Sequence, residues 1–203
     1  MTVDIWIALA AANLVATAAP GQNVALVGSA TVRGGMRGAG LAICGILLAE
    51  GLWSGVALAL ALGAREVSPT LFFGLQSASG IALLLFGLFA LISIRTKDAS
   101  EPPNKVTGRL AFEGLWIGLA NPLALIFFIS LFPAFVPDSV FSATPGVAAY
   151  YVSAILISSA AGLLPYAIAA DALKRLGLGV LLNVISASTL TILGVILLCR
   201  VWH

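Results

Sequence analysis

With 203 residues, a net charge of +2, 61% hydrophobic residues and only 9% charged ones, the chain has a mean hydropathy of +1.11. A soluble domain carries about 25% charged residues, so the composition excludes one and makes the lipid bilayer the first partner. The small positive balance, with no basic patch interleaved with aromatics, leaves no footprint for nucleic acid.

The few charges divide the sequence into apolar runs. About 20 apolar residues span a bilayer core, which predicts six spans at 5–32, 38–64, 67–94, 112–137, 144–170 and 176–200, joined after the third by a polar loop at 95–111. The expected fold is an all-α integral membrane protein, a six-helix bundle in which residues 1–203 form a single transmembrane domain. The start of the chain imitates a signal peptide with Ala16-Thr17-Ala18 as its cleavage site. However, it carries Asp4 without Lys or Arg ahead of the apolar run, which continues well past the supposed cut, so a first spanning helix is expected.

That first span is interrupted by Pro20-Gly21-Gln22-Asn23. Pro20 has no N–H and its ring clashes with the carbonyl of Ala16; Gly21 tolerates unusual dihedrals; Asn23 is expected to cap a helix restarting at Val24. Irregular backbone at membrane depth is tolerated only where protein buries it or a watery cavity is lined by it. The second span carries Glu50 near its centre. A charge there costs on the order of 3 kcal/mol on insertion scales, so Glu50 should face the bundle interior and is the candidate for carrying a proton. Trp53, three residues on, shares its face as a packing group or a substrate contact. In the fourth span Asn121-Pro122 begins a new helix inside the membrane, Asn as cap and Pro as first helical residue. Pro165-Tyr166 should bend the fifth span, with Tyr166 a further candidate substrate contact. Asp171 with Lys174 and Arg175 makes a solvated interfacial cluster, and Asn13, Gln76 and Asn183 are candidate interhelical hydrogen-bonding groups.

Lys and Arg mark the cytoplasmic side. The loops after spans 1, 3 and 5 hold eight of them (Arg33, Arg37, Arg95, Lys97, Lys105, Arg109, Lys174, Arg175) against Arg65 and Arg200 opposite, which places both termini outside. Glycines at four-residue spacing (Gly34/Gly38, Gly51/Gly55, Gly114/Gly118) allow close helix approach. The similar strings Glu50-Gly51-Leu52-Trp53 and Glu113-Gly114-Leu115-Trp116 lie at different depths and make no repeat. Cys44 and Cys199 lack metal or redox spacing and are expected to pack as small hydrophobes. No metal, cofactor or serine–histidine arrangement is expected, and no enzyme.

Asn23 and Asn121 lie at similar depths in spans of opposite direction. Paired broken helices in the two halves of such a chain predict a 3+3 inverted repeat with a central binding site. Exposed N–H groups at helix starts suit a carboxylate, and carbonyls freed at the breaks, such as that of Ala16, suit an ammonium group. Together they describe a small zwitterion. The substrate-binding set is therefore Pro20, Gly21, Gln22, Asn23, Trp53, Asn121, Pro122 and Tyr166, with Glu50 for proton coupling.

These motifs, in order, resemble those of the lysine exporter (LysE/RhtB) family of bacterial amino-acid efflux carriers: Pro20-Gly21-x-Asn23, Gly45 with Glu50, Asn121-Pro122, and Phe127-Phe128-x-x-x-Phe132-Pro133-x-Phe135-Val136. The resemblance covers essentially the whole chain. It implies proton-driven export of an amino acid or derivative across the cytoplasmic membrane, with a homodimer as one arrangement it allows. The chain departs from the family pattern at Gln22 (commonly Pro), Glu50 (Asp), Leu123 (Lys) and Ala134 (often Gln), which bears on the substrate more than on the fold. The alternatives are a thiol-redox membrane protein and a non-transporting scaffold or channel.

Overall fold

Two glycines in left-handed backbone cut long apolar stretches into helices of membrane length. The computed structural model describes residues 3–18, 21–63, 77, 81, 84–85, 87–88, 91–92, 103–135 and 145–201; Pro20, Gln76, His203, residues 95–102 of the polar loop and most of the predicted third span lie outside these. The helices are α1 (Val3–Thr17), α2 (Gln22–Gly63), α3 (Pro103–Leu119), α4 (Pro122–Phe135), α5 (Pro145–Leu173) and α6 (Gly179–Val201), with a π turn at Lys174–Leu178 between the last two.

α2 has 42 residues, about 63 Å of helix for a core of about 30 Å. Gly35, with φ 61° and ψ −158°, divides it into two segments, 22–34 and 36–63. The chain reverses there, for a Cβ on Gly38 would meet the Ala30 carbonyl oxygen at 2.6 Å. Gly177 (φ 81°, ψ 3°) makes the corresponding turn from α5 to α6. The Gly35 turn falls in the expected gap at 33–37. The Gly177 turn lies two residues beyond the charges at 171–175, because the glycine rather than the charge sets it. α3 starts at Pro103, inside the stretch assigned to the loop at 95–111; proline's missing N–H and fixed φ suit the first helical position.

Helix directions follow from who touches whom. Trp6, Asn13 and Thr17 on α1 meet Ser153, Ser158 and Ser159 on α5 in rising order, so these helices run parallel. Ala42 and Ala49 on the second segment of α2 meet Gly114 and Gly118 on α3, also parallel. The first segment runs antiparallel to α6, with Gly28 against Ser186 and Val32 against Gly179. Each relation agrees with strict alternation of spans across a bilayer. Gln22–Leu58 and Gly146–Ile196 are, among the described residues, long and apolar enough to cross one.

The tightest contact is between α2 and α3. A Cβ on Gly45 would strike the Ala111 carbonyl, and one on Gly114 the Ala42 carbonyl, while one on Gly118 would come within 2.5 Å of the Ala49 methyl. Of the spaced pairs, Gly114/Gly118 thus serves close packing; among the described residues Gly55 has nothing nearby and Gly51 makes only an ordinary contact with Leu156. Outward positions carry large apolar side chains such as Val15, Leu48 and Phe112, as a lipid-facing surface requires.

Two apolar clusters fill the interior. One joins Ala25, Leu26, Ala30, Ala42, Ile46, Ile117, Leu163 and Leu190. The other joins Leu9, Leu58, Leu125, Phe128, Phe132, Tyr151 and Ile155. The positions between them on each helix are polar: Asn13 on α1, Gln22 and Asn23 at the start of α2, Glu50 and Trp53 farther along it, and Ser158 and Ser159 on α5.

Candidate functional site

Both interruptions expected from the sequence are present. α1 closes with the Ala18 amide donating to Leu14 O at 2.9 Å, and α2 opens with Ala25 donating to Gly21 O at 3.0 Å. Gly21 therefore holds the capping position, and Asn23 does not cap, contrary to expectation: glycine takes the cap, Gln22 starts the helix, and the Asn23 side chain is released for another partner. At the second break Asn121 N donates to Gly118 O at 3.2 Å and Ala124 N to Asn121 O at 3.1 Å. Asn121 precedes a helix whose first residue is Pro122, as expected. The role of Asn121 and Pro122 visible here is carried by the backbone.

Breaking a helix leaves carbonyls without their usual donors. Pro122 cannot donate to Gly118 O, and Asn121 N has turned to Gly118 and away from Ile117. Side chains from other segments replace these bonds. Gln22 Nε2 donates to Ile117 O at 3.2 Å, Trp53 Nε1 to Gly118 O at 3.2 Å, and Tyr166 Oη to Ala18 O at 2.5 Å. Gln22, a departure from the family pattern, thus ties the first break to the second, which proline at that position could not do. The carbonyls of Ala18, Ile117 and Gly118 near the breaks thus already accept side-chain bonds.

Beside this junction lies Glu50, buried with 6% exposure. Asn23 Nδ2 donates to its Oε1 at 3.3 Å, and Ser159 stands alongside the same carboxyl. Glu50 Oε2 and Asn23 Oδ1 are buried without a partner. Behind them Asn13 Nδ2 donates to Ile155 O (3.2 Å), Ser158 Oγ (2.9 Å) and Ser159 Oγ (2.8 Å), and Thr17 and Ser159 hydroxyls lie 3.4 Å apart. The structure thus brings Gly21, Gln22, Asn23, Glu50, Trp53, Asn121 and Tyr166 to one junction. Sequence reasoning does not find Ser158, Ser159 and Thr17; the available signal is two adjacent hydroxyls in an otherwise apolar fifth span.

A second feature outside the sequence expectations joins the ends of these helices. Arg33 makes a paired contact with buried Glu113, Nη1 to Oε1 at 3.1 Å and Nη2 to Oε2 at 2.5 Å, and Arg109 Nε donates to the same carboxylate at 3.0 Å. Asp171 pairs with Arg175 at 2.8 Å but leaves Lys174 aside. Cys44 and Cys199 are free and exposed on the outer surface, not packed inside as expected, because lipid offers an apolar thiol the same surroundings that a core does. Among the described residues no group of three metal-capable side chains occurs.

Trp53→Phe and Tyr166→Phe should each destabilise the protein by about 0.5–1.5 kcal/mol, the net contribution of one hydrogen bond. Thermal melting in detergent checks this, and unchanged melting in both variants would mean that neither side chain holds a break in place.

The LysE type translocator family model matches residues 14–200. The threonine efflux protein of Escherichia coli (strain K12) is 31% identical over 144 residues, covering 67% of this chain and 68% of that protein. The leucine efflux protein of Klebsiella pneumoniae is 29% identical over 143 residues, 68% of this chain and 65% of its own length. That of Salmonella choleraesuis is 28% identical over 120 residues, 58% of this chain and 56% of its own. No solved structure gives a significant match.

Proposed function

The chain belongs to the LysE type translocator family, a family of membrane transporters and not enzymes, and on that premise we propose that it exports a neutral amino acid by proton antiport. The observation that carries this reading is the placing of one buried acid, Glu50, where both interrupted helices meet. The named activities of the relatives, threonine and leucine efflux, supply the substrate class. The proposed membrane is the bacterial cytoplasmic membrane, with both termini outside and the Arg33–Glu113–Arg109 cluster at the cytoplasmic end.

An inverted 3+3 arrangement of six spans completes the proposal. Its support is a correspondence between the halves. The first half of span 1 (α1) runs along α5, and the first half of span 4 (α3) runs along the second segment of α2. Span 5 sends Tyr166 to a carbonyl at the end of α1, and span 2 sends Trp53 to a carbonyl at the end of α3. Helix starts at Gln22 and Pro122 then offer partial positive charge to a substrate carboxylate.

Proteoliposomes loaded with labelled threonine or leucine test the function. Efflux that rises with an imposed inward proton gradient is expected. Efflux indifferent to the gradient would favour a channel, and none of either amino acid would overturn the proposed cargo.

A further inference from the structure

We propose that Glu50 and Asn23 form the seat of the substrate's ammonium group, and that proton and substrate occupy this one carboxylate in turn. This rests on the export function proposed above and names the part of the site that recognises the cargo.

Glu50 Oε2 and Asn23 Oδ1 are both buried acceptors without a donor among the described residues. The 3.3 Å bond from Asn23 Nδ2 to Glu50 Oε1 joins the two side chains and turns the amide so that its NH2 is engaged and its oxygen is free. An ammonium group carries three donors and no acceptor, and so matches two idle oxygens with none of its hydrogens opposed. Three carbonyls near the breaks, those of Ala18, Ile117 and Gly118, are taken by Tyr166, Gln22 and Trp53.

No cation of the described residues pairs with Glu50. The groups around it are the Asn23 amide from the start of α2 and the Ser159 hydroxyl from α5, with Asn13 and Thr17 of α1 behind. The described ionisable groups of the packed helices lie elsewhere. Asp4 is at the start of α1; Arg33 and Arg37 flank the Gly35 turn; Arg33 and Arg109 are both paired with Glu113; Asp171 is paired with Arg175; Tyr150 and Tyr151 lie in the aromatic cluster. A buried carboxylate without a counter-ion is strongly disfavoured. It takes either a proton or an incoming cation, and here the cation is the cargo itself. The exchange balances: the protonated Glu50 carboxyl and a substrate ammonium become a carboxylate–ammonium pair plus one released proton. Antiport then follows from competition at one place, with no second coupling site.

The test uses the purified full-length protein in detergent with L-threonine and L-leucine, their N-acetyl derivatives and their carboxamides. At a pH below the point where Glu50 takes up its proton, binding of the parent amino acids should release close to one proton per molecule bound into weakly buffered solution. Affinity should weaken about tenfold for each unit of pH below the point where Glu50 takes up its proton. The carboxamides, which keep the ammonium, should bind and release protons, whereas the N-acetyl compounds, which lack it, should not bind. Asn23→Ala should weaken binding about tenfold while keeping the proton release. Equal binding of N-acetyl and parent compounds, or binding without proton release, overturns the shared seat even if efflux of the amino acids stands. Absence of both binding and efflux for threonine and leucine overturns the export reading and this inference with it.

Discussion

Glu50→Gln is expected to insert and fold normally while reducing gradient-driven amino-acid efflux to the level of vesicles without protein. The amide is nearly the same size as the carboxyl, and its oxygen can still accept from Asn23 Nδ2, so the 3.3 Å contact need not be lost. Replacing an ionisable group also lightens an insertion cost on the order of 3 kcal/mol, so the variant should not be less stable. What it lacks is a group that can give up a proton and then hold an ammonium. Glu50→Asp, with the carboxyl one methylene farther back, should retain coupled efflux at a reduced rate. Efflux measured in proteoliposomes under an imposed pH gradient, normalised to the amount of reconstituted protein, decides the matter. Wild-type efflux in the Gln variant would remove Glu50 from the mechanism.

Gly45→Ala and Gly114→Ala should damage the fold far more than the same methyl added at Gly40 or Gly55. In each the new Cβ meets backbone and not a flexible side-chain end: the Ala111 carbonyl and Leu115 N for Gly45, the Ala42 carbonyl for Gly114. Relief requires the whole of α3 to move off α2, at a cost of about 3 kcal/mol or more, the upper part of the range for overpacking. Because Trp53 reaches Gly118 O across this same contact, the separation also opens the second break. Gly40→Ala and Gly55→Ala, where no atom of the described residues lies within 4 Å, serve as controls. Melting temperature and the monodisperse fraction in detergent report the outcome, and equal values for Gly45→Ala and Gly55→Ala would refute the tight contact.

The helix breaks are legible in the sequence because proline and glycine act locally. Asn121-Pro122 behaves in the protein as it does in any helix start, and the interruption before Gln22 follows from residues adjacent in sequence. The cap of α2 is not legible in the same way, because two neighbouring candidates compete for it. Gly21 takes the position once Glu50, 27 residues away, claims the asparagine side chain. The fate of the freed carbonyls cannot be seen from the sequence at all. Gln22, Trp53 and Tyr166 find them from segments 95, 65 and 148 residues distant, and sequence carries no signal for such pairings. Glu113 stands at the edge of the predicted fourth span with nothing in the sequence to name its partners, yet α3 extends back to Pro103 and places it well inside a helix between two arginines.

The turn at Gly35 has a mechanical consequence. A joint one residue long has no slack, so the two arms of α2 behave as a stiff fork with Asn23 on one tine and Glu50 on the other. Any tilt of the fork carries both together and preserves their separation. α1, which ends at Thr17 before the fork begins at Gln22, is fastened instead to α5 through Asn13.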